Sequence, residues 1–209
     1  MLGKLNLLEK EDVVKFISER NIKILNLCHI PEDGRLKTLT FVVSDEKRIH
    51  QILEFGERVD GSSLFSYIDP NKSDIYIMPK LDTAFVNPFC PTPTLNFLCR
   101  YLNENGNALD IAPESILSKA EEKLHSSTDV VLKALAELEF YMISRQETEN
   151  LFPSVPEAHY HESAPFSKFE NLRDDILVTL ADLGIATKYG HAEVGKIQGK
   201  NGTVMEQHE

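Results

Sequence analysis

The ten residues ALAELEFYMI, 134–143, are apolar except for Glu137 and Glu139. Along a β-strand successive side chains alternate, so two acids two positions apart share one face, about 7 Å from each other. An ionised carboxylate in an apolar interior is costly unless it is paired, hydrogen-bonded or bound to a metal. A strand here therefore needs either water on its acidic face or a cation to hold the acids.

The whole chain limits what that cation can be part of. Its 33 acidic and 22 basic side chains leave a net charge of −11, which argues against a nucleic-acid partner, since such proteins need a basic face. No run of about 18 apolar residues occurs, so no membrane-spanning helix is predicted. The N-terminal MLGKLNLLEKEDVV turns acidic before a signal-peptide core could form. Cys28, Cys90 and Cys99 are odd in number and lack metal-binding spacing, which fits a reduced, cytoplasmic protein.

The pattern predicts an α+β chain. EKEDVVKFISER, 9–20, places Val13, Val14, Phe16 and Ile17 on one helical stripe behind an acidic first turn. NIKILNLCHI reads as a strand, with a turn at Asp33-Gly34 and LKTLTFVV as its hairpin mate. DEKRIHQILEFG, 45–56, is an amphipathic helix ended by Gly56; SDIYIMPKL and TAFVNPF are two further strands. CPTPT, 90–94, with two prolines in five residues, reads as the connector between domains 1–95 and 96–209. Beyond it lie the strand TLNFLCRYL, the helix PESILSKAEEKL, the strand VLKALAELEFYMI and the helix KFENLRDDILVTLADLG. SRQETENLFPSVPEAHYHESAP, 144–165, is too long for an ordinary connection and reads as a functional loop. Within it His159-x-His161 has chelating spacing, but a solvated pair in a polar loop is the more economical reading.

HAEVGKIQGKNGTVMEQHE, 191–209, has two strand-like arms about a glycine-rich turn. A three-residue loop, 200–202, would put Gly202 at the left-handed last position. That register sets Glu193 directly opposite Glu209, a like-charge pair that destabilises a sheet unless a cation lies between them. A two-residue turn at Asn201-Gly202 would shift the register by one and lose the pairing. With Glu137 and Glu139, these acids form a set of oxygen donors suited to Mg²⁺ or Mn²⁺.

Four stretches, in order, resemble the glutamine synthetase family in its bacterial, type I-like form. VDGSSLFSYIDPNKSDIYIMP, 59–79, resembles its Asp-Gly-Ser-Ser segment, and TAFVNPF follows where the family commonly has Asp-Pro-Phe. AELEF resembles its Glu-x-Glu-Phe metal strand, and GHAEVG followed by EQHE resembles its His-His-Glu-Val and Gly-Gln-x-Glu segments. Ala136 stands where the family has proline, Ala192 where it has a second histidine, and 199–203 lies in an apparent insertion.

The resemblance implies a β-grasp-like N-terminal domain followed by the first part of an antiparallel-sheet α+β catalytic domain. It implies a glutamate–ammonia ligase using ATP as co-substrate and Mg²⁺ or Mn²⁺, through γ-glutamyl phosphate, in a homo-oligomer with active sites between subunits. Glu139, Glu193 and Glu209 would hold the metal near the substrate, and Glu137 would help hold the one near the nucleotide. Asp60 would bind and help deprotonate ammonium, with Ser63 beside it. The chain stops near the middle of the family's catalytic domain, which leaves the remaining ATP and glutamate ligands outside it. The 209 residues alone are accordingly expected to be inactive, as a fragment or a truncated protein. A γ-glutamyl ligase for another amine and a non-catalytic interaction protein are the rival readings.

Overall fold

The computed structural model describes residues 5, 7, 9–145, 152, 155–200 and 202–209. They fall into two compact units that part between Leu132 and Lys133.

In the first unit, α1 (Lys10–Glu19) leads into β1 (Ile24–His29) and β2 (Lys37–Val42), followed by α2 (Glu46–Phe55) and β3 (Glu57–Asp60). β4 (Asp74–Pro79), the two-residue β5 (Phe85–Val86), β6 (Thr94–Leu102) and α3 (Pro113–Thr128) complete it. The strands lie in the order β2-β1-β6-β4-β3, with β5 also on β6. Among these described strands only β1 and β6 run parallel; the other pairs are antiparallel.

The period of two explains the core. Leu25 and Leu27 on β1, Ile75 and Ile77 on β4, and Leu95, Phe97 and Tyr101 on β6 are buried together. Val13 and Ile17 of α1 and Ile49, Ile52 and Leu53 of α2 join the same cluster, which is why those helices carry apolar residues at spacings of three and four. The alternate face is polar: Asn26 donates to Asn96 Oδ1 at 3.0 Å, and Thr40 donates to Asn26 Oδ1 at 2.8 Å. α2 starts on Asp45, whose carboxylate accepts from the Arg48 N–H at 2.7 Å, satisfying a donor the first turn leaves open.

CPTPT does not separate two sheets. It lies between β5 and β6, which pair with each other in the N-terminal sheet. The two prolines break hydrogen bonding only locally, and the apolar alternation of TLNFLCRYL draws β6 into the core between β1 and β4.

In the second unit, β7 (Phe140–Arg145), α4 (Glu170–Asp182), β8 (Ala192–Gln198) and β9 (Thr203–His208) form a three-stranded antiparallel sheet, order β7-β9-β8, with one helix. The strand expected over 131–143 begins only at Phe140; residues 129–139 are irregular, and 129–138 are largely exposed. β7 pairs with β9 from Phe140↔His208 onward. Before Phe140 no strand among the described residues supplies hydrogen bonds, so the extended pattern of 131–139 stays unpaired. Ala136 and Leu138, which a strand through 131–143 would set on the face opposite Glu137 and Glu139, are exposed for the same reason. Most of the expected long loop lies outside the described residues, apart from 144–145, 152 and 155–165.

Leu95 is fully buried in the first sheet. Leu95→Ala is expected to lower unfolding stability by about 2–5 kcal/mol, whereas Leu36→Ala, at an exposed position, should stay within about 0.5 kcal/mol. Urea denaturation with unchanged slope distinguishes the two.

Candidate functional site

The β8–β9 hairpin has the three-residue loop. Gly199 N–H donates to Thr203 O at 2.7 Å, and Gly202 sits at φ 78°, a left-handed position that glycine occupies without strain. From Gln198↔Val204 to Lys196↔Glu206 the register is the one that would oppose Glu193 to Glu209. It then slips. Ala192 pairs with His208, so Glu193, Val194 and Gly195 span an interval that Gln207 alone spans on β9. The residue directly opposite Glu209 is therefore His191, joined to it by two reciprocal backbone hydrogen bonds of 3.0 Å. The direct Glu193–Glu209 pairing is replaced by an acid–histidine–acid arrangement, which removes the like-charge opposition.

His191, Glu193 and Glu209 still converge: one donor atom from each lies within 4.8 Å of the others. His191 Nε2 is 3.4 Å from Glu209 Oε2, and its Nδ1 is 3.9 Å from Glu193 Oε2. All three are half-buried, open enough for an ion to enter. His161 tilts against His191 with ring centroids 4.3 Å apart and is itself stacked on Tyr160. Ala192, expected to stand in place of a second histidine, is buried, and His191 is the one imidazole of the His191, Glu193 and Glu209 group.

Glu139 is not a donor of this three-residue cluster but is tied to its strand. Gln207 Nε2 donates to Glu139 Oε2 at 2.7 Å, while Gln207 Oε1 accepts from Gly195 N–H at 3.2 Å. A Cβ on Gly195 would lie 2.4 Å from both Gln207 Oε1 and Tyr141 Oη. The absent side chain is what lets the glutamine amide reach across the bulge. Glu137 lines a mainly apolar cavity of about 310 Å³ with Glu209, Arg173, Leu138, Phe140 and Leu177. The geometry thus brings Glu193 and Glu209 together, adds His191, links Glu139 through Gln207 and leaves Glu137 in the adjoining cavity.

On the opposite side of β9 lies a second cluster. Glu206, His208 and His159 are fully buried, with Lys196. His159 is not the solvated loop residue expected from the sequence, whereas His161 is exposed. Burial, with the neighbouring Lys196, lowers the His159 pKa; burial, with His159 and Arg173 nearby, lowers that of His208 to about 4. Glu206 and His208 alternate with Gln207 and Glu209, so their sharing a face was legible in the spacing; that the face is internal was not.

In the first unit Asp60 caps the short turn Gly61–Ser63. Its carboxylate accepts from Ser63 Oγ at 2.7 Å, Ser62 Oγ at 2.8 Å and Ser62 N–H at 3.0 Å. Hydrogen bonds from Ser63, Ser62 and Ser73 pull its pKa from 3.8 to about 2. Asp60 is exposed to solvent, so it is an accessible, permanently ionised carboxylate at neutral pH.

Residues 21–104 match the family described as glutamine synthetase, β-grasp domain, and residues 110–202 match glutamine synthetase, catalytic domain. The chain belongs to the glutamine synthetase family. Glutamine synthetases of Staphylococcus aureus and Staphylococcus epidermidis are each 26% identical over 188 residues, which covers 88% of this chain and 42% of theirs. The chain therefore spans less than half the length of these relatives. In fold, it superposes on a cryo-EM structure of Plasmodium falciparum glutamine synthetase with a TM-score of 0.70 at 17% identity, over 99% of this chain and 45% of that one. A ligand-free GmaS gives 0.67 at 12% identity, over 94% of this chain and 44% of that chain.

The hydrogen bonds on Asp60 give a direct check. Its folded pKa lies below the ordinary 3.8, so the associated stabilisation is complete above that value and is lost as pH falls through about 2. Ser63→Ala, which removes the largest cause, should move the Asp60 carboxyl titration upward toward 3.8 in a carbon-detected NMR pH series. An unchanged midpoint would contradict the assignment.

Proposed function

We propose that this chain contributes to an ATP-dependent glutamate–ammonia ligase, supplying the N-terminal domain and the first part of the catalytic domain. The observation that carries this reading is the convergence of His191, Glu193 and Glu209 across the β8–β9 hairpin, in a chain of this family. Carboxylate oxygens with one imidazole suit Mg²⁺ or Mn²⁺, and the half-buried setting fits an exchangeable ion.

Glu193 and Glu209 would hold the ion near the substrate, with Glu139 held ready by Gln207. Glu137, in the adjoining cavity, would help hold the ion near the nucleotide phosphates. When bound, such ions neutralise the phosphate charge that phosphoryl transfer develops. Asp60 would attract ammonium and take its proton, since only the free amine is a nucleophile. Its low pKa supports the first of these roles by keeping the charge in place. Ser63 fixes the carboxylate's orientation through its hydroxyl. In a homo-oligomer, the Asp60 turn would serve a neighbouring subunit's site.

Mn²⁺ at roughly one hundred times its Kd should raise the melting temperature by about 5–10 °C, by mass action on the folded state. Glu193→Gln should remove most of that rise and Glu139→Gln should reduce it, whereas Glu157→Gln, outside the cluster, should leave it intact. In the assembled enzyme that carries this chain, Asp60→Ala should lower the ammonia-dependent rate about 10²-fold or more while nucleotide affinity is retained. Equal Mn²⁺ shifts in all three glutamine variants would refute the metal reading.

A further inference from the structure

The buried cluster beneath β9 has no part in the proposed ligase chemistry, yet its geometry is that of a binding site. His159, Glu206 and His208 each place a donor atom within 4.8 Å of the others. His159 Nε2 lies 3.6 Å and His208 Nε2 lies 3.9 Å from the same oxygen, Glu206 Oε2. Neither ring nitrogen has a hydrogen-bond partner among the described residues, and both atoms are inaccessible to solvent. Two imidazole nitrogens aimed at one carboxylate oxygen, too far for hydrogen bonds and closed to water, are a cost that an isolated fold has no reason to keep.

We propose that His159, Glu206 and His208 form a buried divalent-metal site of the imidazole–carboxylate class, suited to Zn²⁺. In a tetrahedral zinc site with arms of about 2.0–2.1 Å, neighbouring donors stand roughly 3.3 Å apart. The two nitrogen–oxygen separations need to close by only about 0.3–0.6 Å to reach that spacing, and the donor atoms of the two histidines lie within 4.8 Å of each other. Two imidazoles and one carboxylate are the donor set of borderline metals rather than of Mg²⁺, which takes oxygen ligands.

The surroundings of Glu206 divide its two oxygens between tasks. Oε1 faces the Lys196 ammonium at 3.3 Å, and that ammonium is also satisfied by Phe166 O at 2.9 Å and Glu162 Oε2 at 3.3 Å. Oε2 accepts from the Lys168 backbone N–H at 3.0 Å and faces the histidines. A ligating carboxylate held by outer hydrogen bonds is the usual support of a metal site. One contact must change on binding. Arg173 Nη1 is 3.4 Å from His208 Nδ1, and a guanidinium only donates, whereas ligation through Nε2 puts the proton on Nδ1. Arg173 therefore has to turn away, toward Glu170, whose carboxylate is already 3.9 Å from it.

The test separates this site from the Glu193–Glu209 cluster. The 209-residue chain is refolded without chelator in Zn²⁺ alone, dialysed, and analysed for metal content and melting temperature. A Glu193→Gln/Glu209→Gln double variant should retain about one Zn²⁺ per chain and its zinc-dependent rise in melting temperature. His159→Gln should lose both, and Mg²⁺ should not replace Zn²⁺. Should His159→Gln fail to fold, the Co²⁺ form of the double variant supplies the answer. It should show intense tetrahedral absorption and paramagnetically shifted N–H resonances that assign to His159 and His208. No zinc retained by the wild-type chain, or zinc lost from the double variant but kept by His159→Gln, would overturn the proposal. Cobalt resonances that do not include both His159 and His208 would do the same.

Discussion

Everything at the second unit's site depends on the slip in the β8–β9 ladder. Three residues on β8 face one on β9, so the bulge carries two extra residues. That parity is decisive. A single extra residue would turn every side chain beyond it to the other face; two keep the alternation in phase. Ala192 and Lys196, on either side of the bulge, both remain buried, while the pairing advances far enough to set His191, rather than Glu193, across from Glu209. An imidazole between two carboxylates replaces direct repulsion, and Glu193 keeps its place at the edge of the same cluster.

Gly195 and Gln207 show how the bulge is filled. The glutamine amide bonds the bulged backbone at one end and Glu139 at the other. This fixes a carboxylate that no strand ladder holds, because β7 begins one residue later. A side chain thus does for Glu139 what backbone pairing with His191 does for Glu209. The same irregularity that breaks the hairpin's register therefore organises the acids around it.

Much of the first unit was legible because its rule is local. Alternation marked β1, β2, β4 and β6, a 3.6-residue stripe marked α1 and α2, and capping by Asp45 and Gly56 set the ends of α2. The three-residue hairpin loop was one of the two turns that the place of Gly202 allowed. What failed was each inference that required knowing a partner. Residues with strand-like alternation, such as Leu135 and Leu138, are exposed because no ladder reaches them; CPTPT did not end a sheet because β6 is claimed from both sides by β1 and β4. His159 illustrates the limit most clearly. Its neighbours in sequence, Ala158 and Tyr160, are exposed, and only the packing of a distant strand, β9, makes its surroundings an interior.

β9 finally presents two chemistries on one backbone. Gln207 and, just past the end of β9, Glu209 face the half-buried cluster, while Glu206 and His208 are sealed on the other side. The buried Lys196–Glu206 pair joins β8 to β9 at the last regular step before the bulge. Removing one partner of such a pair costs about 3–5 kcal/mol, because it strands a charge, even though an apolar replacement of both can be neutral. Its contribution is therefore better understood as register than as net stability. A slip of β9 by one residue would bury Gln207 and Glu209 and expose Glu206 and His208, leaving Lys196 without its carboxylate. The penalty for that slip falls on the sealed face, and the benefit appears on the open one, where Glu209 is held opposite His191.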